Sequence, residues 1–541
     1  MKRNKIIVGL LMVVQLVGFS SCSDWLELYP ENTISRKDYW KSKEDVASAM
    51  TGIYQSLRSC TQQLLIWGEF RADMLIPGTT ILVNWDDMRR GEYAATNSLF
   101  AWGTLYTCIN NCNMLIDYAP MAYENDNSFT EAELHEYQGQ AIAIRSLLYF
   151  YLVRSFRDVP MTLNAYADNS QYLMLAKSTD TEILDQLVTD LNQVINDGWI
   201  PANYSYTDVA QNKGYITRYA AQTLLADIYL WQEQYELCNQ VCDQVLKSGQ
   251  YALLPIAQGF VETLEGDTVY YAEPAGVSEY YYNMYVEGNC VESIFEIQYD
   301  RENTNPFFSV FCSANCWAKP NTEHLVDFFT PTLREGLERT VVDMRENVAS
   351  RFGSVWKWAG MSYDDGTVRS TEDMDNNFII YRLAQVYLMK AEALAQMGIA
   401  AGEDAKTTPE EQTCYQEAYA LCQALRTRAG ATETTDLETN NGLINGKSLE
   451  EFILLEEARE FLYEGKRWYD VVRNAKRKDY TTNIGYLLNT VPYSVIADKS
   501  YSMQTKYKKS PYSWYFPCPQ ADIENNSLLE QNPFYAGSGE Y

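Results

Sequence analysis

The feature that limits the possible folds most strongly is a helical spacing of apolar residues in neighbouring segments. After Thr217 and again after Tyr235, apolar side chains recur at i, i+3, i+4 and i+7, which places them on one face of an α-helix. These residues are Ala221, Leu224, Leu225 and Ile228 in the first segment and Cys238, Val241, Cys242 and Val245 in the second. Two such helices joined by a short polar connection predict a helical hairpin.

The same spacing recurs near the other end of the chain. It is found in two segments separated by a polar connection that contains Gly, Thr and Pro: Ala384, Tyr387, Leu388 and Ala391, then Ala418, Leu421, Cys422 and Leu425. Further helices are predicted around residues 102–112, 144–151 and 184–191. Each hairpin must bury its apolar face against a neighbour. The chain is therefore predicted to be mainly α, a tetratricopeptide-like array of helical hairpins, with an irregular helical bundle as the alternative.

The middle of the chain has a different composition. From about residue 251 to 358 it is rich in Gly, Pro, Asn and Tyr, with short β-like runs such as 293–298. This composition predicts loops with short strands, and loops commonly carry function. We therefore expect a single integrated body with three regions: a helical region at 22–245, a loop-rich ligand-binding region with short strands at 246–380, and a second helical region at 381–541.

The N-terminus has the pattern of an export signal. Lys2, Arg3 and Lys5 precede an apolar stretch from Ile6 to Phe19, which is shorter than the roughly 20 apolar residues that a membrane-spanning helix needs. The stretch ends at small residues before Cys22, which resembles the lipobox of bacterial lipoproteins. Residues 1–21 are predicted to be a signal peptide and Cys22 to carry the lipid. An ordinary secretory signal with an incidental Cys22 is the alternative.

The charge of the chain excludes some partners. Among 541 residues the formal net charge is −29. Nucleic-acid binding needs a basic face, so no nucleic-acid partner is expected. An anionic membrane surface would also repel the body. Neutral ligands such as carbohydrates meet no such penalty.

The cysteines do not form a disulfide framework. With Cys22 assigned to lipid, eleven cysteines remain, an odd number. Three pairs have i, i+4 spacing, which in a helix stacks them on one face without favouring a bridge: Cys108 with Cys112, Cys238 with Cys242, and Cys312 with Cys316. Because only two histidines and no CxxC motif are present, core thiols are favoured over a zinc site. No cofactor or metal is predicted, although a structural Ca²⁺ is left open.

No catalytic motif is complete. The stretch from Gly442 to Ser448 resembles a phosphate-binding loop but has three residues between its glycines where the motif needs four. Ser448 with Glu451 is better explained as a capping box that starts a helix. No nucleophile elbow occurs, so the chain is predicted not to be an enzyme. The two carboxylates of a glycosidase can be neither excluded nor supported among 72 acidic residues.

The aromatic residues outside the helices are the candidates for binding. The chain has 42 Tyr and 12 Trp, whose flat faces and polar groups suit recognition surfaces and the apolar faces of sugar rings. The candidate ligand-binding residues lie in polar, irregular stretches: Asn84, Trp85, Tyr281, Tyr282 and Trp317. A local packing role is the alternative for each of them.

Three sequence segments resemble the SusD/RagB family of nutrient-binding outer-membrane lipoproteins of Bacteroidetes. The first is Cys22–Leu26 with the Tyr39 and Trp40 that follow. The second, and strongest, is Glu456–Arg473, which is similar to the family's helix and turn near the C-terminal end. The third is Phe516–Gln520, followed by Gln531–Pro533. These segments occur in the family's order and span nearly the whole chain.

The resemblance implies a right-angled array of tetratricopeptide helices that supports a loop-rich region and captures glycan at the cell surface. Such a protein is lipid-anchored in the outer membrane and acts as a lid on a SusC-like TonB-dependent transporter. Asp24 and Glu27 are similar to the signals that send such lipoproteins to the outer face. The leading hypothesis is thus a non-catalytic oligosaccharide-binding protein. A surface glycoside hydrolase and a binder of peptides or other nutrients are the alternatives.

Overall fold

The computed structural model of the chain describes residues 39–166, 174–262, 268–312, 314–329, 343–401, 409–431, 437, 439–440, 443–478, 480–495 and 497–537. The predicted signal peptide and Cys22 lie outside these residues, so cleavage and lipid attachment stay predictions. None of the described helices combines the length and the apolar character that crossing a membrane requires.

The first part of the chain is helical. Its helices are α1 (Lys43–Glu69), α2 (Val83–Arg89), α3 (Gly103–Asn125), α4 (Glu131–Phe156), α5 (Asp180–Asn196), α6 (Val209–Gly214), α7 (Arg218–Trp231) and α8 (Tyr235–Leu246). The predicted hairpin after Thr217 is formed by α7 and α8, which pack against each other. The helices predicted around residues 102–112, 144–151 and 184–191 are parts of α3, α4 and α5.

Local polar side chains fix where several of these helices begin. Three starts are reciprocal capping boxes, in which a hydroxyl and a carboxylate each satisfy a backbone N–H: Ser42 with Asp45, Thr130 with Glu133, and Thr179 with Glu182. The Thr217 side chain caps α7 by accepting a bond from the Ala220 N–H. Each cap is worth about 1 kcal/mol of helix stability.

The middle of the chain contains short strands and short helices. The strands are β1 (Leu75–Pro77), β2 (Gln258–Glu262), β3 (Thr268–Ala272), β4 (Ser293–Ile297), β5 (Ala318–Pro320), β6 (Ser350–Arg351), β7 (Ser354–Val355) and β8 (Phe378–Arg382). The helices are α9 (Pro274–Tyr281), α10 (Thr322–Phe328), α11 (Met344–Ala349) and α12 (Trp356–Ala359). The strands pair antiparallel in twos, β1 with β5, β2 with β3, β4 with β8 and β6 with β7. The predicted run at 293–298 forms β4.

The last part is again mainly helical. Its elements are α13 (Leu383–Ala401), α14 (Pro409–Arg428), the paired strands β9 (Thr439–Asn440) and β10 (Leu443–Ile444), α15 (Gly446–Glu460), α16 (Arg467–Lys476), α17 (Gly485–Thr490), α18 (Ala497–Lys509), α19 (Gln520–Asn525) and α20 (Pro533–Ala536). The second predicted hairpin is α13 with α14. Gly398 allows its close crossing, because a Cβ there would lie 2.5 Å from the Tyr415 ring.

The hairpins form one continuous stack. Packing contacts run from α1 to α3, α3 to α4, α4 to α5, α5 to α7, α7 to α8, α8 to α13 and α13 to α14. The predicted fold class, a mainly α array of tetratricopeptide-like hairpins with a loop-rich region of short strands, is confirmed. The division of the chain at residues 245 and 380 stays a prediction.

One predicted helix start is wrong. The cap of α15 is Asn445, whose side chain accepts a bond from the Ser448 N–H at 3.0 Å. Ser448 therefore lies inside the first turn. Asn is as good a cap as Ser, and Asn445 comes first along the chain.

The eleven described cysteines are free thiols. Cys108 and Cys112 are buried in α3, and Cys238 and Cys242 are buried in α8, so the prediction of core thiols is confirmed for these pairs. The Cys238 and Cys242 sulfurs lie 4.0 Å apart, a distance that fits a weak thiol hydrogen bond and not a disulfide.

A cluster of buried ions joins the middle of the chain to α15. We call it the buried charge network, and its members are Glu292, Arg345, Arg382, Arg428, Glu456, Glu460 and Glu464. Arg382, at the end of β8, donates to Glu292 at 2.8 Å and to Glu464 at 3.0 Å. Burial alone would raise the pKa of Glu464, but Arg382 and Lys357 lower it to about 2. The carboxylate is therefore ionised at neutral pH.

Candidate functional site

Two segments that are distant in sequence meet where β1 pairs with β5. Beyond this ladder the Gly78 N–H donates to the Trp317 carbonyl at 2.7 Å, and the Thr80 N–H donates to the Cys316 carbonyl at 3.1 Å. The chain that leaves β1 and the chain that enters β5 therefore run side by side. This pairing brings the predicted site residues Asn84 and Trp317 to the same part of the molecule.

Gly78 is required for this close approach. A Cβ at position 78 would lie 2.2 Å from the Cys316 carbonyl oxygen, far inside van der Waals contact. Any side chain there would push the two segments apart. The glycine thus fixes the position, relative to Trp317, of the segment that follows it, which contains α2 and which we call the loop at 78–91.

Trp317 is held in place but is only partly buried. Its backbone N–H lies within hydrogen-bonding distance of the Ser309 and Val310 carbonyls, at 3.2 and 3.1 Å. Its side chain packs against the main hydrophobic core on one side. An indole that is fixed by the backbone and partly open to solvent offers a ready surface for the apolar face of a ligand.

The loop at 78–91 carries exposed apolar side chains that the sequence analysis missed. Ile81 and Val83 are 65% and 70% exposed. Between them and Trp85 lies Asn84, which is exposed and donates from Nδ2 to the Ser98 hydroxyl at 3.2 Å. The available signal was the run of three apolar residues, Ile81–Val83, within a polar stretch.

Trp85 does not share this exposure. Its side chain is 1% exposed, and its ring packs edge-on against Phe70 with the centroids 4.9 Å apart. Trp85 and Met88 lie on the buried face of α2, three residues apart. The expectation that the Trp85 ring is open to a ligand is wrong, because this short helix turns the ring inward. The i, i+3 spacing with Met88 was the sequence signal for burial.

The tyrosine run divides between core and surface. Tyr281 is fully buried, and its hydroxyl lies 2.8 Å from the carbonyl oxygens of Trp356 and of Gly360. The expectation of an open Tyr281 ring is therefore wrong, since the ring ends α9 inside a small core. Tyr282 is 53% exposed, but among the described residues no ring contact joins it to Trp317. Binding by Tyr282 stays a prediction.

An exposed aromatic residue lies on a hairpin that adjoins β5. Phe352 is 73% exposed at the tip of the β6–β7 hairpin, and β7 packs against β5. Its backbone has φ +54°, a left-handed conformation that is costly for a bulky residue. The Arg351 guanidinium lies 4.8 Å from the Phe352 ring centroid and 4.4 Å from that of Tyr363. An exposed ring in a costly conformation indicates a role outside the core.

We group Ile81, Val83, Asn84, Trp317 and Phe352 under the name platform face, because the segments that carry them adjoin one another. Three backbone segments carry these residues, joined by the β1–β5 ladder and by the contact between β5 and β7. Because none of the five side chains is ionisable, the surface favours an uncharged ligand that presents apolar faces.

The charged residues beside the platform face are paired with one another. Asp86 contacts Arg89 at 3.0 Å, and Asp87 contacts Arg90 at 2.5 Å. These pairs lie within or next to α2, so the acidic charge near Asn84 is balanced locally. These ion pairs offset the charges of Asp86 and Asp87 beside the platform face, within a chain whose net charge is −29.

The two histidines have structural surroundings. His135 stacks on Trp199 with the ring centroids 4.4 Å apart. His324 Nε2 lies 3.0 Å from Asp73, whose carboxylate also accepts two bonds from Arg467. Burial would raise the pKa of Asp73, but Arg467 and His324 hold it well below its usual value. Asp73 thus ties the end of α1 to α16. In the part of the chain that the structure describes, no three metal-binding side chains form a group.

Comparison with protein families gives two matches along the chain. The model described as "SusD family" matches residues 341–535. The model described as "Starch-binding associating with outer membrane" matches residues 24–230. The first match includes α15, α16 and most of the buried charge network. The second includes α1 and the loop at 78–91.

Curated relatives align over most of the chain. The SusD-like protein P38 of Formosa agariphila is 24% identical, over 88% of this chain and 92% of its own. The starch-binding protein SusD of Bacteroides thetaiotaomicron is 30% identical, but over only 34% of this chain and 26% of its own.

Solved structures share the fold. The surface glycan-binding protein A from Bacteroides uniformis matches with a TM-score of 0.66 at 20% identity, over 91% of this chain and 100% of that one. A SusD superfamily protein from Bacteroides vulgatus matches with a TM-score of 0.67 at 20% identity, over 92% of this chain and 100% of that one. At this identity the likeness shows the architecture alone.

Proposed function

Because this chain belongs to the SusD family, we propose that it binds oligosaccharides at the cell surface without changing them chemically. It is anchored in the outer membrane through lipid on Cys22 and delivers its ligand to a SusC-like TonB-dependent transporter. The ligand binds on the platform face.

One observation carries this proposal more than any other. Trp317 is held by backbone bonds with Gly78 and from its own N–H, and yet it stays partly exposed, on a segment paired with the one that leads to Ile81 and Val83. Exposed apolar groups held rigidly lose little conformational entropy on binding. Sugar rings offer apolar C–H faces to such a surface, and Asn84 offers an amide to a hydroxyl.

The names of similar proteins support a glycan as the ligand. One curated relative is a starch-binding protein, and one structural neighbour is a surface glycan-binding protein. The family model that matches residues 24–230 is described as associating with the outer membrane. These names concern other proteins, and they make a glycan the first class of ligand to test here.

The lipid anchor gives the delivery step its physical basis. A body tethered at Cys22 stays within reach of a transporter in the same membrane, so its effective concentration at the transporter mouth is set by the tether rather than by diffusion. Cys22→Ser is expected to move the protein from the membrane fraction to the soluble fraction without altering glycan binding. A Cys22→Ser protein that stays in the membrane fraction would contradict the anchor.

Retention in native gels that contain soluble polysaccharides tests the binding function. The panel contains starch, xylan, laminarin and yeast mannan. The wild-type protein is expected to be retarded by at least one of them, and Trp317→Ala is expected to lose most of that retardation. Trp199→Ala is the matched control, because Trp199 is also partly buried, packs on the same core and lies outside the platform face.

Three outcomes would contradict the proposal. Equal retardation of Trp317→Ala and wild type would remove the platform face from the binding site. Release of reducing sugar from the retained polysaccharide would favour a glycoside hydrolase. Absence of retardation by all four polysaccharides, together with saturable binding of a mixed peptide pool, would favour a peptide-binding protein.

A further inference from the structure

A cavity separate from the platform face lies beside the first half of α1. Its volume is about 760 Å³, and its walls come from α1, from α6 with Tyr215, and from β4 with the residues that follow it. None of the platform residues lines it. Arg58, in its wall, lies eleven residues before Glu69, the last residue of α1. At 1.5 Å per residue this is roughly 16 Å of helix. The cavity is therefore separate from the platform face.

Aromatic rings form two of its walls. Tyr54 and Tyr215 pack with their ring centroids 4.9 Å apart and their planes tilted by 32°. Tyr215 also contacts the Tyr204 ring, at 5.5 Å between centroids, but it stays 37% exposed, so part of its side chain is open to a ligand. On the other wall the Tyr299 ring lies under the Arg58 guanidinium, 5.7 Å from its centroid. Because Tyr299 is only 9% exposed and is covered by Arg58, the aromatic surface that is most open to a ligand is that of Tyr215.

These rings are fixed before any ligand arrives. The Tyr54 hydroxyl donates to Gln140 at 2.9 Å and accepts a bond from the Ile216 N–H at 3.0 Å. The Tyr299 hydroxyl donates to the Arg58 carbonyl at 3.2 Å. Because their hydroxyls are engaged in the protein, these two rings cannot rotate freely, and binding would cost little side-chain entropy.

The polar groups that line the cavity include hydrogen-bond donors and hydrogen-bond acceptors. The Gln298 amide is held by reciprocal bonds with Asn289, at 2.9 and 3.0 Å. Asp300 follows it along the same wall. Among the described residues no carboxylate forms an ion pair with Arg58, which leaves its guanidinium donors available to a ligand. Two carboxylates, Asp208 and Asp300, and one guanidinium, that of Arg58, line the cavity, so its small net negative charge disfavours anions and its polar groups suit an uncharged ligand with many hydroxyl groups.

We propose that this cavity is a second saccharide-binding site, and we call it the α1 groove, formed by Tyr54, Arg58, Tyr215, Gln298, Tyr299 and Asp300. This inference rests on the proposed function, since it assigns the same class of ligand to a second place on the body. Two sites on one protein body hold a long glycan at two points. The glycan then dissociates more slowly than it would from either site alone.

Calorimetric titration of the full mature chain tests the second site. The probes are hexasaccharides of α-1,4-linked glucose, β-1,3-linked glucose, β-1,4-linked xylose and α-1,6-linked mannose. For at least one probe, wild type is expected to bind two molecules per chain, and Trp317→Ala is expected to keep one. In the Trp317→Ala background, a further Arg58→Ala or Tyr215→Ala is expected to weaken the remaining binding roughly tenfold or more, because a charge-assisted bond or a stacking face is lost.

Arg301→Ala in the same background is the matched control. Arg301 carries the same charge and is adjacent to Asp300 in sequence, but its side chain is 74% exposed and does not line the groove. The control is expected to bind as Trp317→Ala does. Unfolding curves identify any variant that fails to fold, and Arg58→Ala, at a partly exposed position, decides the matter if Tyr215→Ala does not fold.

The outcomes separate this inference from the proposed function. A single wild-type site that Trp317→Ala abolishes would overturn the α1 groove and leave the platform face intact. Residual binding that Arg58→Ala and Tyr215→Ala leave unchanged would also overturn it. A wild-type protein that binds none of the four probes would overturn the proposed function, and the groove with it.

Discussion

In the buried charge network each side chain is surrounded by partners, whereas the side chains of the platform face are exposed or partly exposed. Arg382 has no exposed surface and contacts Glu292, Glu460 and Glu464. Val83, by contrast, is 70% exposed. The ion pairs of the network hold the middle of the chain to α15. The apolar side chains of the platform face remain exposed or partly exposed to solvent, and a ligand can cover them.

This contrast separates stability from binding. A change in the network leaves a buried ion without its partner, which is among the most destabilising changes known for single residues. A change on the platform face removes little that the folded protein uses. Variants of the network should therefore lower the free energy of unfolding more than the ligand affinity. Variants of the platform face should lower the ligand affinity more than the free energy of unfolding.

The largest effect is expected from Arg382→Ala. Its loss leaves three carboxylates buried without their common partner, which should reduce the free energy of unfolding by about 4 kcal/mol. Denaturant unfolding monitored by circular dichroism measures the change. Arg301→Ala, which breaks an exposed pair with Asp375, is the control and should change stability by less than about 1 kcal/mol. Equal effects of the two variants would show that the network does not stabilise the fold.

Trp85→Ala is expected to come next. The indole is fully enclosed against Phe70, so its loss leaves a cavity and should cost about 3 kcal/mol of unfolding free energy. Trp317→Ala should cost about 1 kcal/mol, since only part of that ring is buried. The same denaturant curves compare the two. A Trp317→Ala protein as unstable as Trp85→Ala would mean that Trp317 belongs to the core rather than to the platform face.

Acid should affect the network and spare the platform face. Burial opposes ionisation of Glu456 and Glu464. Neighbouring arginines nevertheless lower the pKa of Glu456 to about 2, and Arg382 with Lys357 lowers that of Glu464 to about 2. The pKa of an unfolded Glu is about 4.3. Carboxylates with lowered pKa values stabilise the fold above the unfolded pKa, and this stability is lost as the pH falls toward the folded pKa.

Unfolding curves should thus lose on the order of 2 kcal/mol between about pH 4.5 and pH 3. Glycan affinity should stay constant between about pH 7 and pH 5, because no platform side chain titrates there. Stability that does not change down to about pH 3 would show that these carboxylates are not ionised in the folded protein.

The smallest effect on stability is expected from Phe352→Gly. Glycine adopts the left-handed backbone at this position without strain, so the free energy of unfolding should rise by about 0.5–1 kcal/mol. Affinity for the bound glycan should fall several-fold, because an exposed ring of the platform face is lost. Gain of stability with unchanged affinity would remove Phe352 from the ligand-binding surface.

The helical array was predictable and the platform face only partly so. Burial imposes a 3.6-residue period, so Leu224, Leu225 and Ile228 indicated a helix from the sequence alone. The exposure of Trp317 depends on the pairing of β1 with β5, which are distant in the chain. Trp85 and Trp317 both occur in polar stretches, and the i, i+3 spacing of Trp85 with Met88 was the local sign that Trp85 belongs to the core.

The missed residues have a similar explanation. Phe352 lies at a hairpin tip, and nothing in its immediate sequence shows that its side chain faces solvent. The α1 groove combines Tyr54, Tyr215 and Tyr299 from three separate segments. Sites assembled by tertiary contacts between short elements leave no periodic signal in the sequence. The motif at Glu456–Arg473, in contrast, is continuous, and it identified the fold.

A crystal structure of the mature protein with a bound hexasaccharide, chosen as the tightest binder of the four probes, tests the central claim most directly. The platform face is expected to hold a sugar ring stacked on Trp317, at van der Waals distance of about 4 Å, with further contacts to Ile81, Val83 or Phe352. A structure in which the saccharide binds elsewhere while the exposed face of Trp317 remains open to solvent would contradict it.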